Sequence, residues 1–204
     1  MIDLQHAIAA TTREVNLVDG PDGEDVRVLL RRRYRGAVPD IWDALTTPDR
    51  LARWFLPVTG DLTVGGSFQL EGNAGGDVLA CEPPHRFRVT FGGPTSVVEV
   101  RLRPADEPGA TLVEVQHTVP RALAGSGAGA LYAGPGWDEA LLHLGLLLEQ
   151  DPPVRATPEQ DAELGRRSVP AWVEVVRASG TATSEEVEEA AAVAAAQYAP
   201  DPVG

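Results

Sequence analysis

His117 ends a run in which Val113, Val115 and His117 alternate with polar residues, so its imidazole shares a strand face with aliphatic neighbours. An imidazole held there could orient a ligand or move a proton. Aromatic companions are available in Trp54, Phe55, Phe68, Phe87, Phe91 and Trp137, with Val100 among them. With His117 these form the candidate ligand-binding set, because small-molecule sites are mostly apolar with a few placed polar groups. The competing reading is a filled core, in which the indoles and His117 satisfy one another or the backbone.

Other chemistry is poorly supplied. His6, His85 and His143 are scattered without metal-ligand spacing, and Cys81 is the only cysteine, so neither a metal nor a cofactor is expected. Gly65-Gly66-Ser67-Phe68-Gln69 fails the nucleophile-elbow pattern, since glutamine takes the place of the last glycine. Glu114 falls on the face opposite His117, which disfavours acid–base work by that pair. No catalytic residue is assigned, and the balance leans away from an enzyme. Cys81 has no neighbouring base or cationic cluster and reads as a buried strand residue. Gly125–Ala130 loosely fits a dinucleotide fingerprint but lacks the βαβ context, and reads as a mobile loop beside a pocket mouth.

The elements that must position these residues follow from periodicity. Residues 2–17 can form a helix, followed by a Gly- and Pro-rich acidic break over 19–25. Val26–Tyr34 reads as a first strand. Pro39-Asp40 and Thr47-Pro48 each open a short helix, the second ending at Trp54-Phe55 before Pro57. From 58 to 119 every signal is strand or turn: Ser67–Gly72, Asp77–Cys81, His85–Phe91, Ser96–Arg103 and Thr111–Val119. Phe87, Val89 and Phe91 share a face, as do Val98, Val100 and Leu102, while Arg86, Arg88, Glu99, Arg101, Glu114 and Gln116 suit water. That one-sided antiparallel meander needs a cover, and the helix from Trp137 to Glu149 supplies it. Leu142, Leu146 and Leu147 lie off its sheet-facing stripe, so a second layer is expected behind it. Capping boxes at Thr157–Gln160 and Thr183–Glu186 start two helices in the tail, with Pro170 expected to break or kink the first. The domain reading is 1–25 as helix and acidic loop, 26–150 as the main domain, and 151–204 as a packed helical extension.

Composition narrows the setting. Apolar residues are 43% and charged residues 23%, which suits a globular chain with a core large enough to stand alone. Net charge is −13, so phosphate backbones and anionic lipid surfaces are repelled, and neither nucleic acid nor membrane is an expected partner. Arg31, Arg32, Arg33 and Arg35 alternate between strand faces and read as solvated or ion-paired. A lone cysteine and the absence of a secretion signal point to the cytoplasm.

The order strand, two short helices, meander and long helix is the helix-grip arrangement, an α+β fold. The motifs Arg32-Arg33-Tyr34, Ile41–Leu45, Thr47–Phe55, Asp61–Gly66, Gln69–Gly76, Cys81–Pro84 and Gly136–Leu142 are similar to the START-like superfamily. Within it they resemble the branch related to the carboxy-terminal domain of the Hsp90 ATPase activator, over residues 27–149. One departure is Gly36-Ala37 where the family has Ala-Pro, with proline at Pro39 instead. The resemblance implies a pocket between sheet and long helix, and a hydrophobic or aromatic small molecule as partner. It also leaves open an Hsp90-type co-chaperone role and a polyketide cyclase-like enzyme, because fold alone does not name a ligand.

Overall fold

The computed structural model describes residues 2–149 and 155–200; the expected boundary at 150/151 lies outside them. In chain order come α1 (Leu4–Ala9), β1 (Thr11–Gly20), β2 (Gly23–Arg35), α2 (Val38–Thr46), α3 (Pro48–Trp54) and β3 (Val58–Gly60). Then follow β4 (Ser67–Leu70), β5 (Gly75–Glu82), β6 (Arg86–Thr90), β7 (Val97–Pro104) and β8 (Ala110–Pro120). The chain ends with α4 (Arg121–Ala124), a 3-10 turn at Gly127–Gly129, α5 (Ala130–Glu149), α6 (Pro158–Ser179) and α7 (Ser184–Tyr198). The sheet order is β1-β2-β8-β7-β6-β5-β4-β3, and each neighbouring pair from β3 to β8 is antiparallel. An antiparallel meander that leads into one long helix is the helix-grip fold.

Two compact units divide the chain. One holds residues 1–30, 119–142 and 156–204; the other holds 31–118 and 143–155.

In the second unit the meander is in the register its alternation predicts. Phe87 faces Val100, which faces Val115, and Val89 faces Val98, which faces His117. A bulge at Leu79 lets Val78 and Cys81, three residues apart, both join these apolar rows, opposite Val89 and Phe87. Gly76 has no room for a side chain: a Cβ there would meet the Thr90 carbonyl oxygen at 1.8 Å. On the other face Glu99 departs from the solvated role expected of it. It is buried between Arg86 (2.9 Å) and Arg101 (2.5 Å), and Arg86 also pairs with Glu82. Burial pushes the Glu99 carboxyl up, but the hydrogen bonds from Arg86 and Arg101 outweigh it and hold the group below its ordinary range.

The first unit differs from expectation in four places. The helix over 2–17 is cut to α1, and Thr11, Thr12, Val15 and Val18 instead build β1, since branched side chains suit a strand. The acidic break becomes the tight turn of the β1–β2 hairpin, with Gly23 at φ +133°. The stretch Gly125–Ala130, expected as a mobile loop, closes into the 3-10 turn at Gly127–Gly129 and the start of α5, and its Gly127 is a site of close packing, where a Cβ would stand 1.7 Å from the Thr181 hydroxyl. A Cβ on Gly134 would stand 2.4 Å from the Trp172 indole, and one on Gly136 would reach the Tyr198 hydroxyl at 3.3 Å. Pro170, expected to interrupt α6, is carried inside it on an exposed side. The carbonyl it frees, at Arg166, lies on that side too, where water can serve it.

Both capping boxes form as expected. Thr157 and Gln160, and likewise Thr183 and Glu186, exchange side-chain and backbone hydrogen bonds. Of the back-face residues, Leu142 and Leu146 are buried, in keeping with a helix apolar on more than one side.

Gly165 on α6 meets the end of α7 so closely that a Cβ would stand 1.7 Å from the Tyr198 carbonyl oxygen. At a free helical site Gly→Ala stabilises by about 1 kcal/mol. At Gly165 the sign reverses, because the obstacle is backbone that cannot rotate away. Gly165→Ala should lower stability by about 1–3 kcal/mol, the range for overpacked cores. Urea melts check this, and a variant as stable as the parent would refute the close packing of α6 on α7.

Candidate functional site

The candidate residues fall into small groups. Trp54, at the end of α3, is buried with its indole N–H donating to the Ala44 carbonyl at 2.9 Å, and Phe55 stacks beside it at 5.3 Å. That tryptophan is therefore satisfied as a core residue. Phe87 on β6 meets Trp42 of α2 edge-on at 5.8 Å and faces Val100 across the strands. Phe91, just past β6, meets the His117 ring edge-on at 6.1 Å. Phe68 on β4 lies opposite Gly76. Trp137 is half-buried in the part of α5 that belongs to the other unit.

Sealing of the apolar face is uneven. Val98 and Val100 on β7 are 3% and 5% exposed, whereas Phe87 and Val89 on β6, and Phe91 beyond it, are only half-buried. All four phenylalanines of the chain lie in this unit, and none is fully buried. A packed core normally closes over such side chains first.

His117 is the polar group of this face. Its Nε2 lies 2.8 Å from the Ser96 hydroxyl, and burial pushes its pKa down to about 4. The ring is thus neutral at physiological pH, with one N–H and one lone pair. Cys81, in the row with Phe87, is half-buried, and burial followed by the adjacent Glu82 pushes its thiol up. It stays a thiol and is no nucleophile.

Sequence reasoning missed Trp42 and Ser96. Ser96 had a usable signal, since it lies two residues before Val98 and so takes the same strand face. Trp42 lies inside the Ile41–Leu45 motif, and nothing local marks it as a partner of Phe87. The arginine cluster also needs correction. Arg31 pairs with Glu114 at 2.7 Å, but Arg32 is buried, 6% exposed, on the apolar side of β2 with Leu30 and Tyr34. Alternation alone turns one of two adjacent arginines inward.

No described helix is long and apolar enough to cross a membrane.

Comparisons with known proteins agree with this architecture. No curated protein matches the chain. The crystal structure of CalU16 from Micromonospora echinospora is 35% identical, with a TM-score of 0.67, covering 82% of this chain and 99% of that one. Its solution structure gives 33% identity, a TM-score of 0.63 and 93% coverage of both chains. DynU16, a protein of the dynemicin biosynthetic locus, is 26% identical with a TM-score of 0.54, covering 62% of this chain and 48% of that one. The family model described as activator of Hsp90 ATPase homolog 1-like protein matches residues 37–149. A match over more than half the chain, joined to a fold shared with CalU16, shows that this protein belongs to the activator of Hsp90 ATPase homolog 1-like family.

Proposed function

We propose that the chain binds a hydrophobic or aromatic small molecule on the apolar face of β6–β8. The observation that supports this is the uneven sealing of that face. Phe87, Val89 and Phe91 stay half-buried beside fully sealed valines, and the neutral His117–Ser96 pair lies among them. Apolar burial supplies the affinity, at about 25 cal/mol per Å² removed from water. His117 or Ser96 supplies a directional hydrogen bond. A binding role also fits the chemistry present, since a neutral buried imidazole and a protonated thiol offer neither a strong base nor a nucleophile.

A thermal-shift screen of lipophilic aromatic compounds, followed by native mass spectrometry of the hits, tests the reading. A true ligand at a hundredfold excess over its Kd should stabilise the fold by about 2.7 kcal/mol. Phe87→Ala should weaken that ligand while leaving the fold intact. A broad library with no stabilising compound, or hits indifferent to Phe87→Ala, would overturn it.

A further inference from the structure

Arg32 is out of place by the ordinary rules for charge. It is 6% exposed and lies on the strand face that also carries Leu30 and Tyr34, both buried. Arg31 shows the usual solution on the opposite face, with Glu114 as its ion-pair partner. Since Arg31 and Glu114 meet there, Arg32 and the neighbours of Glu114, Val113 and Val115, turn to the apolar side. The Arg32 Nε is sealed from solvent without a hydrogen-bond partner. Among the described residues no carboxylate or carbonyl is bonded to the rest of its fork; its contact is the Tyr34 ring, 5.2 Å from Cζ. A guanidinium this deeply buried, with its Nε unpaired and no counter-charge among the described residues, is costly, and native folds rarely keep one without a use.

The surroundings keep room for this group. Gly145 lies inside α5, where glycine costs about 1 kcal/mol against alanine. A Cβ there would stand 3.1 Å from Arg32 Nη2 and 3.5 Å from the Tyr34 ring. The helix gives up a side chain at the point where it passes the guanidinium. Electrostatics add to the case: at −13 the chain repels anions at long range, so an acidic ligand needs a local cation to hold it.

We propose that Arg32 is the anchor for a carboxylate, or a planar oxyanion of like geometry, on the small molecule bound by this domain. The inference rests on the small-molecule reading above and narrows it. The ligand is an amphipathic acid, with its apolar body on the Phe87–Phe91 face and its charged end at Arg32. The guanidinium fork suits this task because it meets a carboxylate with two parallel N–H donors.

The test compares naphthoate with naphthamide, which share a ring system and differ in charge, by calorimetric titration at neutral pH. The parent protein should bind naphthoate about tenfold more tightly or better, as expected of a charged hydrogen bond. In Arg32→Met that preference should vanish while naphthamide affinity is unchanged. Arg32→Lys should restore part of it. The unliganded Arg32→Met protein should also melt no lower than the parent, since a costly buried charge has been replaced by an apolar chain. Equal binding of both compounds by the parent, or a preference that survives Arg32→Met, overturns the Arg32 assignment and leaves the pocket standing. Binding of neither compound overturns the Arg32 assignment, and the pocket is then decided by the broad library alone. A lower melting point for Arg32→Met would show the guanidinium serving only as packing against Tyr34, and would also overturn it.

Discussion

Asp138→Ala should cost about 3–5 kcal/mol of folding stability, the range for stranding one member of a buried ion pair. The Asp138 side chain is 2% exposed and that of Arg13 is 7%. Arg13 Nε donates to both carboxylate oxygens, at 3.0 and 2.9 Å, and its Nη2 lies 2.9 Å from Oδ1 as an ion-pair contact. The same carboxylate accepts from the Ser168 hydroxyl at 2.5 Å and from the Trp172 indole N–H at 2.9 Å. One side chain therefore joins β1, α5 and α6. Removing it takes the counter-charge from Arg13, whose Nη1 keeps the Ile8 and Thr11 carbonyls, and leaves the Arg13 Nε, the Ser168 hydroxyl and the Trp172 indole without this acceptor, each a cost when buried. Urea unfolding of Asp138→Ala measures the loss. Adding Arg13→Met should recover part of it, because the stranded charge is then gone, while Ser168 and Trp172 remain unserved. A loss below about 1 kcal/mol would mean that water reaches the cluster, and that the pair behaves like an exposed one.

Asp138 also marks the limit of what a sequence shows by itself. The sequence places it in an apolar helix, and nothing local says that its partners are Arg13 and Trp172, more than a hundred and more than thirty residues away. Periodicity speaks for neighbours along an element, whereas long-range pairing is decided by the fold. The meander was readable for that reason: its strands follow one another closely, and alternation puts Phe87, Val100 and Val115 in one row. The glycines that lead into and open α5 misled because glycine has two opposite uses. It frees a loop, and it lets helices touch; only the presence of Trp172 against Gly134 decides between them. The bulge at Leu79 was hidden as well, since an extra residue breaks the very alternation used to find strands. Within the candidate site, residue types and faces were readable for Phe87, Val100 and His117. The degree of burial was not, and it separates the buried Trp54 from the half-buried Phe91.

His117 should make the fold acid-sensitive by about 3 kcal/mol, from a shift of 6.5 to about 4 at 1.36 kcal/mol per pH unit. Above pH 6.5 the imidazole is neutral in both states and contributes no slope. As the pH falls from 6.5 toward 4, the unfolded chain takes up a proton that the buried ring refuses, so the unfolded state gains and stability drops. Below about 4 the native ring titrates too, and the loss levels off. Carboxylates held low by arginines, such as Glu99, add their own loss further into acid, so the parent curve alone is ambiguous. His117→Asn separates them: it keeps a hydrogen-bonding group near Ser96 and removes the titration. The stability difference between parent and variant should shrink by about 3 kcal/mol on going from neutral pH to 4. The imidazole resonance of the native protein should titrate near 4 instead of 6.5. A midpoint at the ordinary value would place the ring in water and remove the polar anchor from the apolar face. A midpoint near 4 would also argue against proton transfer by this ring, because a base that weak is poorly matched to neutral pH. What suits it is a hydrogen bond that does not change with pH over the range in which the folded chain works.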